Sequence, residues 1–213
     1  HVGELVSNYQ TLFDESVVTY REEHLKKRPS GKIFLNYAQI LETKILGGKI
    51  GFKKDNNVSK LMFAYHKGQK IPLNMPISSS SVKGLSPLVL FLRYFLESDE
   101  FLIIDEPEMN LHPKAQAEII ELISMIVNSG IRVLITTHSP YIIDHLKNLM
   151  KAKDVKNQEK AKKLFYLQDS AAFISKDDVS IYVFENGKGT DILSKNGQIN
   201  WRTFSRVSED IVK

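Results

Sequence analysis

Carboxylates directly follow an apolar run in the segment "FLIIDEPEMNLHP", residues 101–113. The four residues "FLII" predict a buried strand, Asp105 and Glu106 come next, and Glu108 follows one proline later. Burying an unpaired carboxylate costs several kcal/mol, so these charges must leave the core where the strand ends. We therefore expect Asp105 and Glu106 to face water, a cation or a ligand.

A second apolar run ends in "ITTHSP", which places His138 32 residues after Glu106. In a parallel sheet, ligands bind beyond the carboxyl ends of the strands, where loops converge and helix amino termini offer N–H groups. The apolar run followed by Asp105 and Glu106 resembles the second nucleotide motif of P-loop ATPases, in which the Asp holds Mg²⁺, commonly through water, and the adjacent Glu can orient the attacking water. The His138 imidazole can donate a hydrogen bond to a terminal phosphate and to that water.

Each of these residues also has a purely structural interpretation. Two acids after an apolar strand occur by chance in many proteins, and a histidine near a strand end is more often a structural residue than a catalytic one. The order along the chain favours function: a serine cluster opens a helix, then come a strand, "DEPE", "LHP", a helix, a strand and "TTHSP".

Composition sets the broad class. The chain has 213 residues, 42% hydrophobic and 25% charged, which is the size and make-up of one globular domain. A net charge of +4 and a pI of about 9.0 permit a nucleic-acid partner without requiring one. The absence of cysteine excludes disulfides, thiolate metal sites and cysteine nucleophiles. With no membrane-length apolar run and no signal peptide, we expect a cytoplasmic protein, and the start at His1 indicates a piece of a longer one.

Hydrophobic periodicity predicts the elements that position these residues. In chain order they are a helix over 4–28, a helix over 33–46, an antiparallel meander over 49–74, an apolar helix from the serines to Leu96, strand 101–104, helix 113–129, strand 131–137 and helix 140–150. The strand–helix–strand unit predicts parallel neighbours with a right-handed crossover. The lysine-rich segment 147–163 is typical of a solvated helix end and loop. After it we predict strands over 164–167 and 179–185, a turn at "NGKG" and a helix over 201–212.

The stretch from about Ile77 to Ile143 resembles the carboxyl-terminal lobe of ABC-class P-loop ATPases, the group shared by SMC-like repair ATPases and the AAA-labelled, ABC-type ATPases of bacterial defence systems. "FLIIDEPE" resembles the Walker B strand with its catalytic glutamate, "MNLHP" the D-loop and "ITTHSP" the switch histidine. "SSSSVKGL" resembles the signature motif, with Ser79 or Ser80 at the serine position. It departs from the family in having Ser80 and Ser81 where glycines are usual.

The resemblance implies an α/β fold, a parallel-sheet P-loop NTPase-like half domain with flanking helices and a small antiparallel meander. It implies one domain over 1–213, divided into 1–76, a motif-bearing core over 77–150, and 151–213. It implies ATP and Mg²⁺ as cofactors and a homodimer through the nucleotide interface, with each signature segment covering the partner's nucleotide. The implied site residues are Asp105 for the metal, Glu106 and His138 for catalysis, and Ser79, Ser80, Ser81 and Lys83 for nucleotide binding.

The phosphate-binding loop G-x-x-x-x-G-K-[ST] is missing from the sequence. "SGK" at Ser30 and "NGKGT" at Asn186 both lack its spacing. In the family this loop lies in an amino-terminal lobe, so we expect that lobe as a partner. Alone, the chain is expected to bind ATP weakly and to hydrolyse little of it.

Two other functions remain open. A metal-dependent nuclease would use Glu185, at a predicted strand end, and Asp191. A module without turnover would bind DNA or an effector protein through its basic surface. No membrane partner is expected.

Overall fold

The computed structural model describes residues 29–55, 58–66, 71–165, 167–194 and 196–200. The helices predicted over 4–28 and 201–212 lie outside the described residues.

The first described helix, α1 (Pro29–Ile40), continues without a break as a π-helix over Leu41–Leu46. This agrees with the helix predicted over 33–46, but the helix begins earlier because proline is well tolerated in a first turn. It ends at Gly47, whose φ of 67° is the left-handed conformation that glycine adopts most readily.

The predicted meander is confirmed as three antiparallel strands in the order β1 (Gly48–Asp55), β2 (Val58–Tyr65) and β3 (Leu73–Asn74). Gly48 is needed for space, since a Cβ there would lie 2.3 Å from the ring of Phe63.

The serine cluster opens α2 (Ser80–Tyr94), and Ser79 is its N-cap. Near the other end, the Arg93 guanidinium lies 2.6 Å from the Glu42 carboxylate and donates a 2.8 Å hydrogen bond to the Ile50 carbonyl. The same Glu42 oxygen accepts the Ile50 N–H at 2.6 Å. This buried pair therefore fixes the meander against α2 and the π-helix.

The predicted strand–helix–strand unit is present. It consists of β4 (Phe101–Asp105), α3 (Pro113–Asn128) and β5 (Arg132–Thr136), and β4 pairs with β5 in parallel. The chain continues into α4 (Pro140–Lys153), which is longer than the predicted 140–150. The fold class is thus α/β, with a parallel pair, flanking helices and a separate antiparallel meander.

The two faces of the parallel pair differ. One face packs on the core through Leu102, Ile104, Val133 and Ile135. On the other, Phe101, Ile103 and Leu134 are 54%, 63% and 50% exposed. The prediction of a fully buried strand is therefore wrong for one face, because the described part of the chain packs apolar groups on the other face only.

The carboxyl-terminal part contains one unpredicted helix. Residues 158–165 form α5 (Gln158–Phe165), so the predicted solvated loop and the strand predicted at 164 are both wrong there. After two short 3₁₀ turns, β6 (Tyr182–Glu185) and β7 (Lys188–Asp191) form the predicted hairpin. Its turn residues Asn186 and Gly187 have φ of 50° and 74°, the two positive values of a type I′ turn.

Within the described ranges, every helix falls short of the combined length and hydrophobicity that crossing a bilayer requires.

Candidate active site

The carboxyl ends of β4 and β5 meet at one edge, where Asp105 is in register with Thr136. The Thr136 hydroxyl donates to Asp105 Oδ1, and Asp105 Oδ2 has no hydrogen-bond donor among the described residues. Both side chains are exposed and lie on the same face as Phe101 and Ile103. A carboxylate with one oxygen anchored and one open therefore lies at the end of the strand.

Glu106 turns the chain sharply away from the sheet. Its φ of 43° is left-handed, which is uncommon for a residue other than glycine. Its N–H donates to the Thr136 carbonyl at 3.2 Å and to the Thr136 hydroxyl at 3.1 Å. These bonds to the neighbouring strand end hold a backbone conformation that is unfavourable by itself.

His138 lies beside Glu106, with 3.4 Å between His138 Nε2 and Glu106 Oε1. The histidine side chain is 90% exposed and the glutamate side chain 30% exposed. The structure thus brings together Asp105, Glu106 and His138, the three residues that the sequence placed at neighbouring strand ends. A carboxylate that can accept a proton and an imidazole that can donate one face the same open space.

Glu108 has a place that sequence reasoning missed. It is only 7% exposed, and its Oε1 accepts the Thr137 hydroxyl at 2.6 Å and the His138 N–H at 3.0 Å. No local sequence pattern indicates this burial, because an acid in a loop is normally solvated. The residues that contact Glu108 lie about 30 positions further along the chain.

Further hydrogen bonds join the loops after β4 and β5. The Ser139 hydroxyl caps α4 by accepting the Tyr141 N–H at 3.2 Å and donates to Gln116 Oε1 at 2.5 Å. Gln116 Nε2 in turn donates to the Leu111 carbonyl at 2.9 Å. The loop after β5 is therefore connected to the loop after β4 twice, through Glu108 before and at His138 and through Gln116 after it.

The serines and Lys83 occupy the amino-terminal end of α2. The Ser79 hydroxyl accepts the Val82 N–H at 3.3 Å, and the Ser81 hydroxyl donates to the Asn110 carbonyl at 2.8 Å. Ser80 is exposed, and its side chain has no hydrogen bond within the described part of the chain. Lys83 Nζ donates to the Pro76 carbonyl at 3.4 Å. Ser81 thus ties the serine cluster to the loop after Glu106, but no hydrogen bond or ion pair joins these residues to Asp105, Glu106 or His138 among the described residues.

The chemistry of the strand ends fits Mg²⁺. No group of three or more His, Asp or Glu residues in the described ranges could enclose a metal ion. Mg²⁺ keeps several waters and usually takes one or two carboxylates plus substrate phosphates, so the open oxygen of Asp105 is a suitable ligand.

The residues of the nuclease alternative are not brought together. Glu185 pairs with Lys188 beside the hairpin turn, whereas Asp191 pairs with Tyr182 at the other end. Three residues along a strand correspond to about 10 Å. Asp191 instead accepts the Leu193 N–H at 2.9 Å.

Comparison with known proteins identifies the family of this chain through one family model. No curated protein is significantly similar to this chain in sequence. One solved structure, described as "Structural biochemistry of ATP-driven dimerization and DNA stimulated activation of SMC ATPases", aligns over 84% of this chain and 89% of its own, with a TM-score of 0.48 and 12% identity. That similarity is too distant to indicate an activity. The model of the family "AAA domain, putative AbiEii toxin, Type IV TA system" matches residues 7–144, more than half of the chain, and the chain therefore belongs to this P-loop ATPase-type family.

Proposed function

We propose that this chain is the carboxyl-terminal lobe of an ABC-type ATPase and that it hydrolyses ATP once a Walker A lobe completes its site. The observation that carries the proposal is the 3.4 Å separation of His138 Nε2 and Glu106 Oε1, at the ends of two adjacent parallel strands, next to Asp105. Membership of a P-loop ATPase-type family supports it.

Asp105 holds the metal side of the site. Its Oδ1 is fixed by the Thr136 hydroxyl, and Oδ2 would be the oxygen that holds a cation or a water of the cation's shell. Mg²⁺, when bound with ATP, would supply positive charge that neutralises the charge developing on the phosphate oxygens. The Thr136 contact keeps Asp105 in one orientation, so that the carboxylate is positioned before ligands arrive.

Glu106 and His138 act on the attacking water. Glu106 accepts a hydrogen bond from the water and so orients it towards the terminal phosphate. His138 donates to a terminal phosphate oxygen through a ring that is exposed and close to the glutamate. The backbone N–H groups of both residues donate hydrogen bonds to the neighbouring strand end or loop, which positions the two residues relative to each other.

The missing Walker A lobe is the first partner. Parallel sheets are normally covered on both faces, yet Phe101, Ile103 and Leu134 are at least half exposed on one face of this two-stranded pair. Asp105 lies at the end of the same face. A lobe packed there would bring its phosphate-binding loop to the edge where Asp105 and Glu106 lie.

A second copy is the other partner. Ser79, Ser80 and Ser81 begin a 15-residue helix, where free N–H groups and the helix dipole favour an anion. Among the described residues these serines make no hydrogen bond with the strand-end acids of their own chain, which supports their binding the nucleotide of a facing subunit. The homodimer would place two such sites at one interface.

The test is an ATPase assay with and without the Walker A lobe. We expect negligible turnover from the chain alone and restored turnover with the lobe, which Glu106→Gln lowers by roughly 100-fold or more. Glu159→Gln, on exposed α5 where the acid pairs with Lys162, serves as the matched control and should leave turnover unchanged. Full turnover by the isolated chain, or equal activity of both variants, would refute the proposal.

A further inference from the structure

We propose that Glu108 is a positioning residue that fixes the loop carrying His138 and thereby holds the His138 ring against Glu106. The consequence for turnover rests on the proposed function, whereas the geometric claim concerns only residues that the structure describes.

The carboxylate of Glu108 joins two loops that are far apart in sequence. Glu108 follows β4, and both donors to its Oε1 follow β5: the Thr137 hydroxyl at 2.6 Å and the His138 N–H at 3.0 Å. The Thr137 hydroxyl also accepts the Ser139 N–H at 3.0 Å. One buried oxygen atom therefore orients three consecutive residues of the loop.

The other oxygen of Glu108 shows that stability alone does not explain a carboxylate here. Oε2 is buried and has no hydrogen-bond partner among the described residues. Such an unsatisfied oxygen lowers stability, and an apolar side chain of similar volume often serves a core as well or better. What an apolar side chain could not provide is the pair of hydrogen bonds to Thr137 and His138.

The His138 ring depends on this backbone anchor. Its side chain is 90% exposed, and its described contact is with Glu106 at 3.4 Å, so packing does not fix the ring. Glu106 is itself held by the Thr136 carbonyl and hydroxyl. Without the Glu108 contact, the loop that carries His138 would keep, within the described part of the chain, only the connection through Ser139 and Gln116. Glu106 would stay in place, and the distance between the His138 and Glu106 side chains would vary more.

Two substitutions separate positioning from packing. Glu108→Leu keeps a similar volume and removes both acceptors, whereas Glu108→Gln keeps an amide oxygen for Thr137 and His138. In the protein assembled with its Walker A lobe, we expect Glu108→Leu to lower kcat by about 10- to 100-fold with KM for ATP within about 3-fold. Glu108→Gln should stay within about 3-fold of the unchanged protein, and Glu159→Gln is the control.

A spectroscopic measurement tests the geometry without relying on turnover. In the assembled protein, Glu106→Gln should shift the ring resonances of His138, and in the Glu108→Leu background the same substitution should leave them unchanged. Should Glu108→Leu fail to fold, Thr137→Val replaces it, because it removes one of the two donors to Glu108. It should lower kcat by about 3- to 10-fold with KM for ATP within about 3-fold. The melting temperature should fall as well, since Glu108 loses a donor and the Ser139 N–H its acceptor.

The outcomes distinguish the two proposals. The role of Glu108 would be overturned if Glu108→Leu left kcat unchanged and Glu106→Gln still shifted the His138 ring resonances in that background. It would also be overturned if Glu108→Gln lowered kcat as much as Glu108→Leu does. Suppose that the assembled protein does not hydrolyse ATP, but that Glu106→Gln shifts the His138 resonances only when Glu108 is present. This result would refute the proposed function and support the positioning role.

Discussion

Two histidine–glutamate pairs lie in the same part of the molecule and have opposite surroundings. His138 and Glu106 approach to 3.4 Å at the open strand ends, whereas His145 on α4 and Glu121 on α3 approach to 2.9 Å in the interior. Glu121 also accepts the Gln168 N–H at 3.3 Å, which ties the segment after α5 to both helices. The same two residue types therefore leave reactive atoms free in one place and join three segments in the other.

The largest expected effect is the loss of ATPase activity when Glu106, the glutamate of the exposed pair, is replaced. Glu106→Gln should lower kcat of the assembled ATPase by about 10²- to 10⁴-fold while leaving the melting temperature nearly unchanged, because its side chain is at the surface and partly solvated. ATP turnover and a thermal melt on the same preparation measure both. A large fall in melting temperature together with the loss of turnover would instead show that Glu106 is a structural residue.

The buried pair should respond in the opposite way. Glu121→Ala should lower the free energy of unfolding by about 3–5 kcal/mol, since it leaves His145 and the Gln168 N–H without their acceptor. Urea unfolding measures this loss. Glu159→Ala, at an exposed pair, should change stability by less than about 0.5 kcal/mol. An equal loss of stability in Glu121→Ala and Glu159→Ala would mean that burial does not determine how much an ion pair contributes to stability.

Replacing the exposed histidine should cost activity alone. His138→Ala should lower kcat by about 10- to 100-fold, because a donor to the terminal phosphate is lost, and should leave urea unfolding unchanged. Steady-state ATPase assays and denaturation curves of the same variant decide this. A full-activity His138→Ala enzyme would remove the histidine from the mechanism.

A smaller effect is expected on the exposed face of the parallel pair. Ile103→Glu should weaken association with the Walker A lobe by about 10-fold or more, since the interface would bury an unpaired charge. The stability of the isolated chain should barely change, because this side chain is already exposed. Titration calorimetry with the purified lobe measures the affinity, and Lys114→Glu, at an exposed position on α3, is the control.

The sequence predicted the motif-bearing elements well because their signals are local. Apolar runs, the serine N-cap, Pro113 and Pro140 in first turns and the Asn186–Gly187 turn all act within a few residues. The parallel pairing of β4 and β5, and with it the approach of His138 to Glu106, followed from the strand–helix–strand order. The roles of Asp105, Glu106, His138, Ser79, Ser80, Ser81 and Lys83 stay predictions that the experiments above address.

The features that the sequence did not predict depend on contacts between distant residues. The burial of Glu108 depends on a loop 30 residues away, and the exposed face of β4 depends on which helices are present to cover it. At α5, lysine, glutamine, glutamate and alanine favour a helix, whereas the run of charges considered by itself predicts a solvated helix end and loop. Helix propensity summed over that segment would have indicated α5.

The most direct measurement is a structure of the Glu106→Gln protein with its Walker A lobe and Mg²⁺-ATP. We predict Mg²⁺ bound to Asp105 directly or through one water, and the terminal phosphate within about 3 Å of the His138 ring nitrogen. A nucleotide bound away from the ends of β4 and β5, or a lobe that leaves Phe101, Ile103 and Leu134 exposed, would contradict the proposed site.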